Sequence, residues 1–99
     1  MATVVNRHYD DHDFYIGRGS MFGNPFSDKV GTRAKWLVAS RQEAIAKYRV
    51  WLWNEIKQGR ITREHLLALD GLRLGCSCYP KACHGDVIVA AIKWAKEQA

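Results

Sequence analysis

The sequence predicts a small single-domain α/β protein, residues 1–99, built on a mostly parallel three-stranded sheet flanked by helices in a minimal Rossmann-like arrangement. Three observations carry this. Short β-branched or apolar runs stand at Thr3-Val4-Val5, Phe14-Tyr15-Ile16 and Leu72-Arg73-Leu74-Gly75-Cys76, the length and composition of strands. Helical periodicity fills the stretch between the second and third runs and returns after the third. Strands separated by helices in this order pair in parallel, because the crossover connection is right-handed. At 99 residues the chain has room for one modest core and not for two.

Composition narrows the classes of function. The formal charge is +5 and the pI about 9.3, which fits a polyanionic partner such as a nucleotide or nucleic acid. Lys and Arg are scattered rather than blocked, so plain solubility accounts for the charge equally well. No apolar run approaches membrane-spanning length. Residues Met1 to Arg7 lack the basic start and apolar core of a secretory signal, so a cytoplasmic location with reduced thiols is expected. There, three cysteines crowded into one short stretch point to metal, anion or redox chemistry rather than a structural disulfide.

The first strand, Thr3 to Val5, hands Asn6 and Arg7 to its carboxyl end. Asp10, Asp11, His12 and Asp13 follow in a turn-like connection and read as solvated charges, not ligands. The second strand, Phe14 to Ile16, leads into the glycine-rich loop Gly17 to Phe26. Gly17, Gly19 and Gly23 allow close backbone approach to a ligand, while Arg18 and Ser20 offer a guanidinium fork and a hydroxyl to a phosphate or carboxylate. The spacing is neither the dinucleotide fingerprint nor a P-loop. The competing reading is a tight turn stopped by Asn24-Pro25.

Lys29 to Thr32 reads as a turn, and Arg33 to Ala39 as a short helix or a strand. Ser40 with Glu43 three residues on is a capping box that starts a helix at Arg41. Its buried face is Ala44, Ile45, Tyr48, Trp51, Leu52 and Ile56, and it ends near Gln58-Gly59, so Tyr48 and Trp51 belong to the core rather than to a stacking site. Thr62 caps a second, shorter helix carrying Leu66, Leu67 and Leu69 and stopped by Asp70-Gly71; His65 reads as a surface or packing residue. The last helix runs from about Cys83 to Gln98, with Val87, Ile88, Ala91, Ile92 and Ala95 inward and Lys93, Lys96 and Glu97 outward.

The chemistry concentrates in Cys76-Ser77-Cys78-Tyr79-Pro80-Lys81-Ala82-Cys83-His84-Gly85-Asp86. In a parallel sheet the strand carboxyl ends share a rim, which would gather Asn6, Arg7, Gly17, Arg18, Gly19, Ser20 and Asn24 as ligand-binding residues beside this loop. The free N–H groups of the last helix would add attraction for an anion. Three readings of the loop stay open. Cys76, Cys78, Cys83 and His84 form a tetrahedral zinc set, although the spacing is tighter than the usual Cys-x-x-Cys arms. Cys83, at a helix start beside His84 and near Lys81, is an activated thiol, with His84 as base and Asp86 as its orienter. Structurally, Asp86 caps the helix, Gly85 allows close packing and the cysteines are small buried apolar groups.

Tyr15-Ile16-Gly17-Arg18, Gly23-Asn24-Pro25-Phe26 and the stretch from Leu74-Gly75-Cys76 through Cys83-His84-Gly85-Asp86 together resemble a family of small bacterial and phage proteins described as a domain of unknown function, DUF4326-like. The resemblance spans nearly the whole chain. It implies that Asn24, Pro25, Cys76, Cys78, Cys83, His84, Gly85 and Asp86 make up a signature site, and that the protein is an accessory factor acting on nucleotides, DNA or a host component. The function expected is binding of a nucleotide or nucleic-acid phosphate, with the cysteine/histidine loop holding zinc or shaping the pocket. The alternatives are an enzyme acting on a nucleotide or base through Cys83 and His84 or a metal-held water, and a phage-type effector that binds a host protein through exposed Trp and Leu surface.

Overall fold

The computed structural model describes residues 2–17, 20–27, 36–76 and 83–98. Its main sheet contains β1 (Thr3–Asn6), β2 (Phe14–Tyr15) and β5 (Arg73–Cys76) in the order β1-β5-β2, with β5 central and both pairings parallel. This is the α/β arrangement that the three apolar runs predict. Leu74 and Gly75 are buried, because the central strand of a parallel sheet is covered on both faces.

Three helices complete the core: α1 (Arg41–Lys57), α2 (Arg63–Leu67) and α3 (His84–Glu97). The Ser40 side chain caps α1 by accepting the Glu43 N–H, and the Glu43 carboxylate accepts the Ala39 N–H in return. Thr62 caps α2, where His65 completes the box by accepting the Thr62 N–H at Nδ1, 3.0 Å away. His65 is therefore an exposed capping residue. Gly59 and Gly71 both adopt φ +79° beyond the ends of α1 and α2, a conformation open to glycine without strain.

Along α1, Ala44, Tyr48 and Leu52 are buried, while Ile45, Trp51 and Ile56 are partly buried against the same cluster. All five residues assigned inward on α3, namely Val87, Ile88, Ala91, Ile92 and Ala95, are buried. The helix packs on β1 and against α1 and α2. Each large aliphatic side chain buried in this way contributes about 1.5–3 kcal/mol. Among the described residues no helix is long and apolar enough to cross a membrane.

The chain after Asn24-Pro25 differs from the sequence expectation. It does not stop there; it resumes as β3 (Phe26–Ser27), which pairs in parallel with β4 (Trp36–Leu37) in a separate two-stranded sheet. The Asn24 side-chain oxygen accepts the Phe26 N–H at 2.9 Å, a local turn that delivers the chain in extended form. Phe26 stacks on Trp36 at 5.0 Å between ring centroids, and α1 packs against β3. Within the 33–39 segment left undecided by the sequence, Trp36–Leu37 is strand; the Lys29 to Thr32 turn lies outside the described residues.

Candidate functional site at the carboxyl ends of the strands

The three strands of the main sheet end side by side. Asn6 is the register partner of Cys76, and Tyr15 that of Gly75. Just beyond the strands, Arg7 N–H donates to the Cys76 carbonyl at 2.9 Å and Ile16 N–H to the Gly75 carbonyl at 3.1 Å. Asn6 is buried and spends itself on the turn that follows. Its side-chain oxygen accepts the His8 N–H, and its carbonyl accepts the N–H groups of Tyr9 and Asp10.

The exposed Arg7 guanidinium lies over the Tyr15 ring, 4.9 Å from its centroid. The ring in turn covers Gly17 so closely that a Cβ on that residue would overlap it. Glycine at position 17 is what lets the ring lie there. Ser20 closes the next turn, both its N–H and its hydroxyl donating to the Gly17 carbonyl, at 3.1 and 2.7 Å. Glycine, aromatic ring and guanidinium are layered, and the exposed cation on this half-buried ring contributes about 0.5–1 kcal/mol.

The floor of the rim is sulfur. Cys83 is the N-cap of α3, and its Sγ accepts the Gly85 N–H at 3.3 Å. Cys76, the last residue of β5, places its Sγ 3.4 Å from that of Cys83. Both residues are buried, at 2% and 3% exposure. Asp86 supplies the other half of the capping box by accepting the Cys83 N–H at 3.4 Å. The start of α3 is therefore capped by its own residues, with a carboxylate in its first turn, rather than presenting free N–H groups to an anion. Gly85 is pressed into the sheet: a Cβ there would stand 2.9 Å from Val4 Cγ2, 3.0 Å from Ile16 Cδ1 and 3.2 Å from Cys83 Sγ.

His84 turns into the core. Its Nε2 lies 2.6 Å from the Ile16 carbonyl. A carbonyl only accepts, so Nε2 carries the proton. The Tyr48 ring meets the imidazole edge-on at 4.9 Å, and the Tyr48 hydroxyl donates to the Phe22 carbonyl at 2.7 Å. Burial pushes the Tyr48 phenol above its usual pKa, and the Cys83 sulfur adds to that rise. No hydrogen bond joins Asp86 to His84; each bonds to a main-chain group instead. An Asp86-oriented base is not what this geometry builds.

For the remaining sequence candidates, Asn24 is buried and uses both ends of its amide in the fold, donating to the Ala44 carbonyl and accepting from Phe26. Arg18, Gly19 and Cys78 lie outside the described residues. Among the described residues no three His, Cys, Asp or Glu side chains converge as a metal cluster. Cys76 and Cys83, two of the four residues of the expected zinc set, have their sulfurs 3.4 Å apart. Reading the sequence missed two contributors. Tyr15 reads as a strand residue and as part of the family-like motif but not as a site residue, and the Tyr48 hydroxyl is invisible in a periodicity that marks the ring as core. Tyr15 at a strand end two residues before a glycine was the available signal.

A chain of Enterobacteria phage T4, described as an uncharacterized 12.4 kDa protein in the nrdA-td intergenic region, is 41% identical over 88 residues, covering 89% of this chain and 74% of that one. No solved structure matches. The family described as Domain of unknown function (DUF4326) matches residues 4–94, nearly the whole sheet-and-helix unit built above, and the chain belongs to that family.

Proposed function

We propose that the rim binds a phosphate-bearing ligand, a nucleotide or a nucleic-acid phosphate, with Arg7 as the anion contact and the cysteine/histidine floor shaping the pocket. Arg7 carries the reading. Its guanidinium stands at the end of β1, held by the Tyr15 ring, and among the described residues no carboxylate pairs with it. A guanidinium that is positioned but not neutralised suits a ligand oxyanion, to which it can present two parallel N–H groups. The chain's +5 charge favours anionic ligands in general, whereas the Arg7–Tyr15 layer supports this particular edge. Ser20 and the Gly17 turn lie on the same loop.

Titration of the protein with a nucleoside diphosphate and with a short single-stranded oligonucleotide tests this. Arg7→Ala is expected to weaken binding about tenfold or more, on the order of 1.5 kcal/mol for a charge-assisted hydrogen bond. Arg73→Ala is the control. It removes the same charge at the opposite end of β5 and, with Asp13 as its partner there, is expected to leave affinity within about twofold. Equal losses in the two variants would mean diffuse attraction to a basic surface, and the rim reading would fall.

A further inference from the structure

We infer that Cys76 and Cys83 form an oxidisable dithiol, which a small hydroperoxide converts into an intramolecular disulfide. The inference is independent of which ligand the rim holds. The sulfurs already stand 3.4 Å apart, one at the end of the central strand and one at the cap of a 14-residue helix. Closing to the bonded distance of about 2.05 Å needs a shift of about 1.4 Å, which small side-chain rotations can share.

The hydrogen bonds set the order of events. Either sulfur can donate in the sulfur–sulfur contact, but Cys83 Sγ also accepts the Gly85 N–H at the start of α3, which favours its thiolate and makes it the sulfur that reacts first. Cys83 sulfur attacks the peroxide; the O–O bond breaks, an S–O bond forms, and water or an alcohol leaves after protonation. Cys76 sulfur then attacks the sulfur of the Cys83 sulfenic acid, the S–O bond breaks, and hydroxide departs as water with the Cys76 proton. Two thiols are oxidised by two electrons and one hydroperoxide is reduced. Burial of both residues at 2% and 3% exposure disfavours bulky disulfide oxidants and keeps the sulfenic acid beside its resolving thiol.

The test uses full-length reduced protein treated with one equivalent of hydrogen peroxide, then alkylated and digested with trypsin. The expected result is a loss of 2 Da, two alkylatable thiols fewer, and a cross-link between the peptide ending at Lys81 and the peptide beginning at Ala82, with the alkyl label on Cys78. In Cys78→Ser the same cross-link is expected. A label on Cys76 with the link moved to Cys78, stepwise additions of 16 Da on one cysteine without a link, or about one zinc per chain that protects the thiols from peroxide would each overturn the inference. Because the label is read in the unaltered chain, misfolding of a variant does not obscure the answer.

Discussion

His84 donates a 2.6 Å hydrogen bond from Nε2 to the main-chain carbonyl of Ile16, fastening the first turn of α3 to the end of β2. The two residues are 68 apart in sequence, so this bond joins the glycine-loop edge of the rim to its cysteine edge. Removing the imidazole leaves a buried carbonyl without its donor and a gap beside the Tyr48 ring. His84→Ala is expected to destabilise the fold by about 2–3 kcal/mol, read as a shift of the urea midpoint at unchanged slope. His84→Gln, which keeps a donor, is expected to recover part of the loss. A His84→Ala midpoint equal to the parent's would mean that the bond does not hold α3 in place.

Gly85 tests how tightly that turn is seated. Alanine has the better helix propensity, by up to about 1 kcal/mol in a helix interior and less in a first turn. Against this, the new methyl would meet Val4, Ile16 and the Cys83 sulfur at 2.9–3.2 Å, and overpacking a filled core costs about 1–3 kcal/mol. Packing wins, so Gly85→Ala is expected to lower the thermal midpoint. A higher midpoint would show that α3 can slide off the sheet at little cost.

How much of this could be read in advance depends on whether the deciding interaction is local. The capping pairs Ser40–Glu43 and the helical face through Tyr48 and Leu52 lie within a few turns of chain, and periodicity displays them. The parallel order β1-β5-β2 follows from strands separated by helices. The pairing of Phe26–Ser27 with Trp36–Leu37 was not legible: two-residue strands carry no alternation, and their partnership depends on α1 packing beside them. At the site, gathering Asn6, Ile16 and Cys76 at one edge follows from topology. The direction of the His84 ring does not, because its partner is a main-chain carbonyl that any residue at position 16 would supply. Nor could spacing show that Cys83 rather than Asp86 would be the N-cap, since both stand within one turn of the helix start.

Gly17 offers a way to disturb the rim while sparing the core. A methyl there displaces the Tyr15 ring, a partly exposed side chain free to swing outward, and the Arg7 guanidinium loses its platform. Gly17→Ala is therefore expected to change the unfolding midpoint little, by less than about 0.5 kcal/mol as for a surface substitution, while weakening the phosphate ligand several-fold. Calorimetric titration beside a denaturant melt reads both. Unchanged affinity would remove the Tyr15–Arg7 layer from the binding site.

Asp13 and Arg73 give the fold an acid-sensitive clasp at the far end of β5. Arg73 donates to the Asp13 carboxylate from its Nε, Nη2 and main-chain N–H at 3.2, 3.2 and 2.8 Å. Its side-chain hydrogen bonds, then its main-chain N–H, hold the Asp13 pKa below the ordinary 3.8. A carboxyl whose pKa is lower folded than unfolded stabilises the fold wherever it is ionised in both states. That contribution is complete above the unfolded value and disappears as pH falls through the folded one. Asp13→Asn keeps an acceptor and cannot ionise. The stability difference between parent and variant is therefore expected to be flat near neutrality and to shrink as pH drops below about 4, and also to shrink with added salt, since the pair is exposed. Denaturant midpoints of both proteins at pH 7, 5, 4 and 3 read the curve, and a difference that stays constant to pH 2 would mean that Asp13 titrates alike in the folded and unfolded chains.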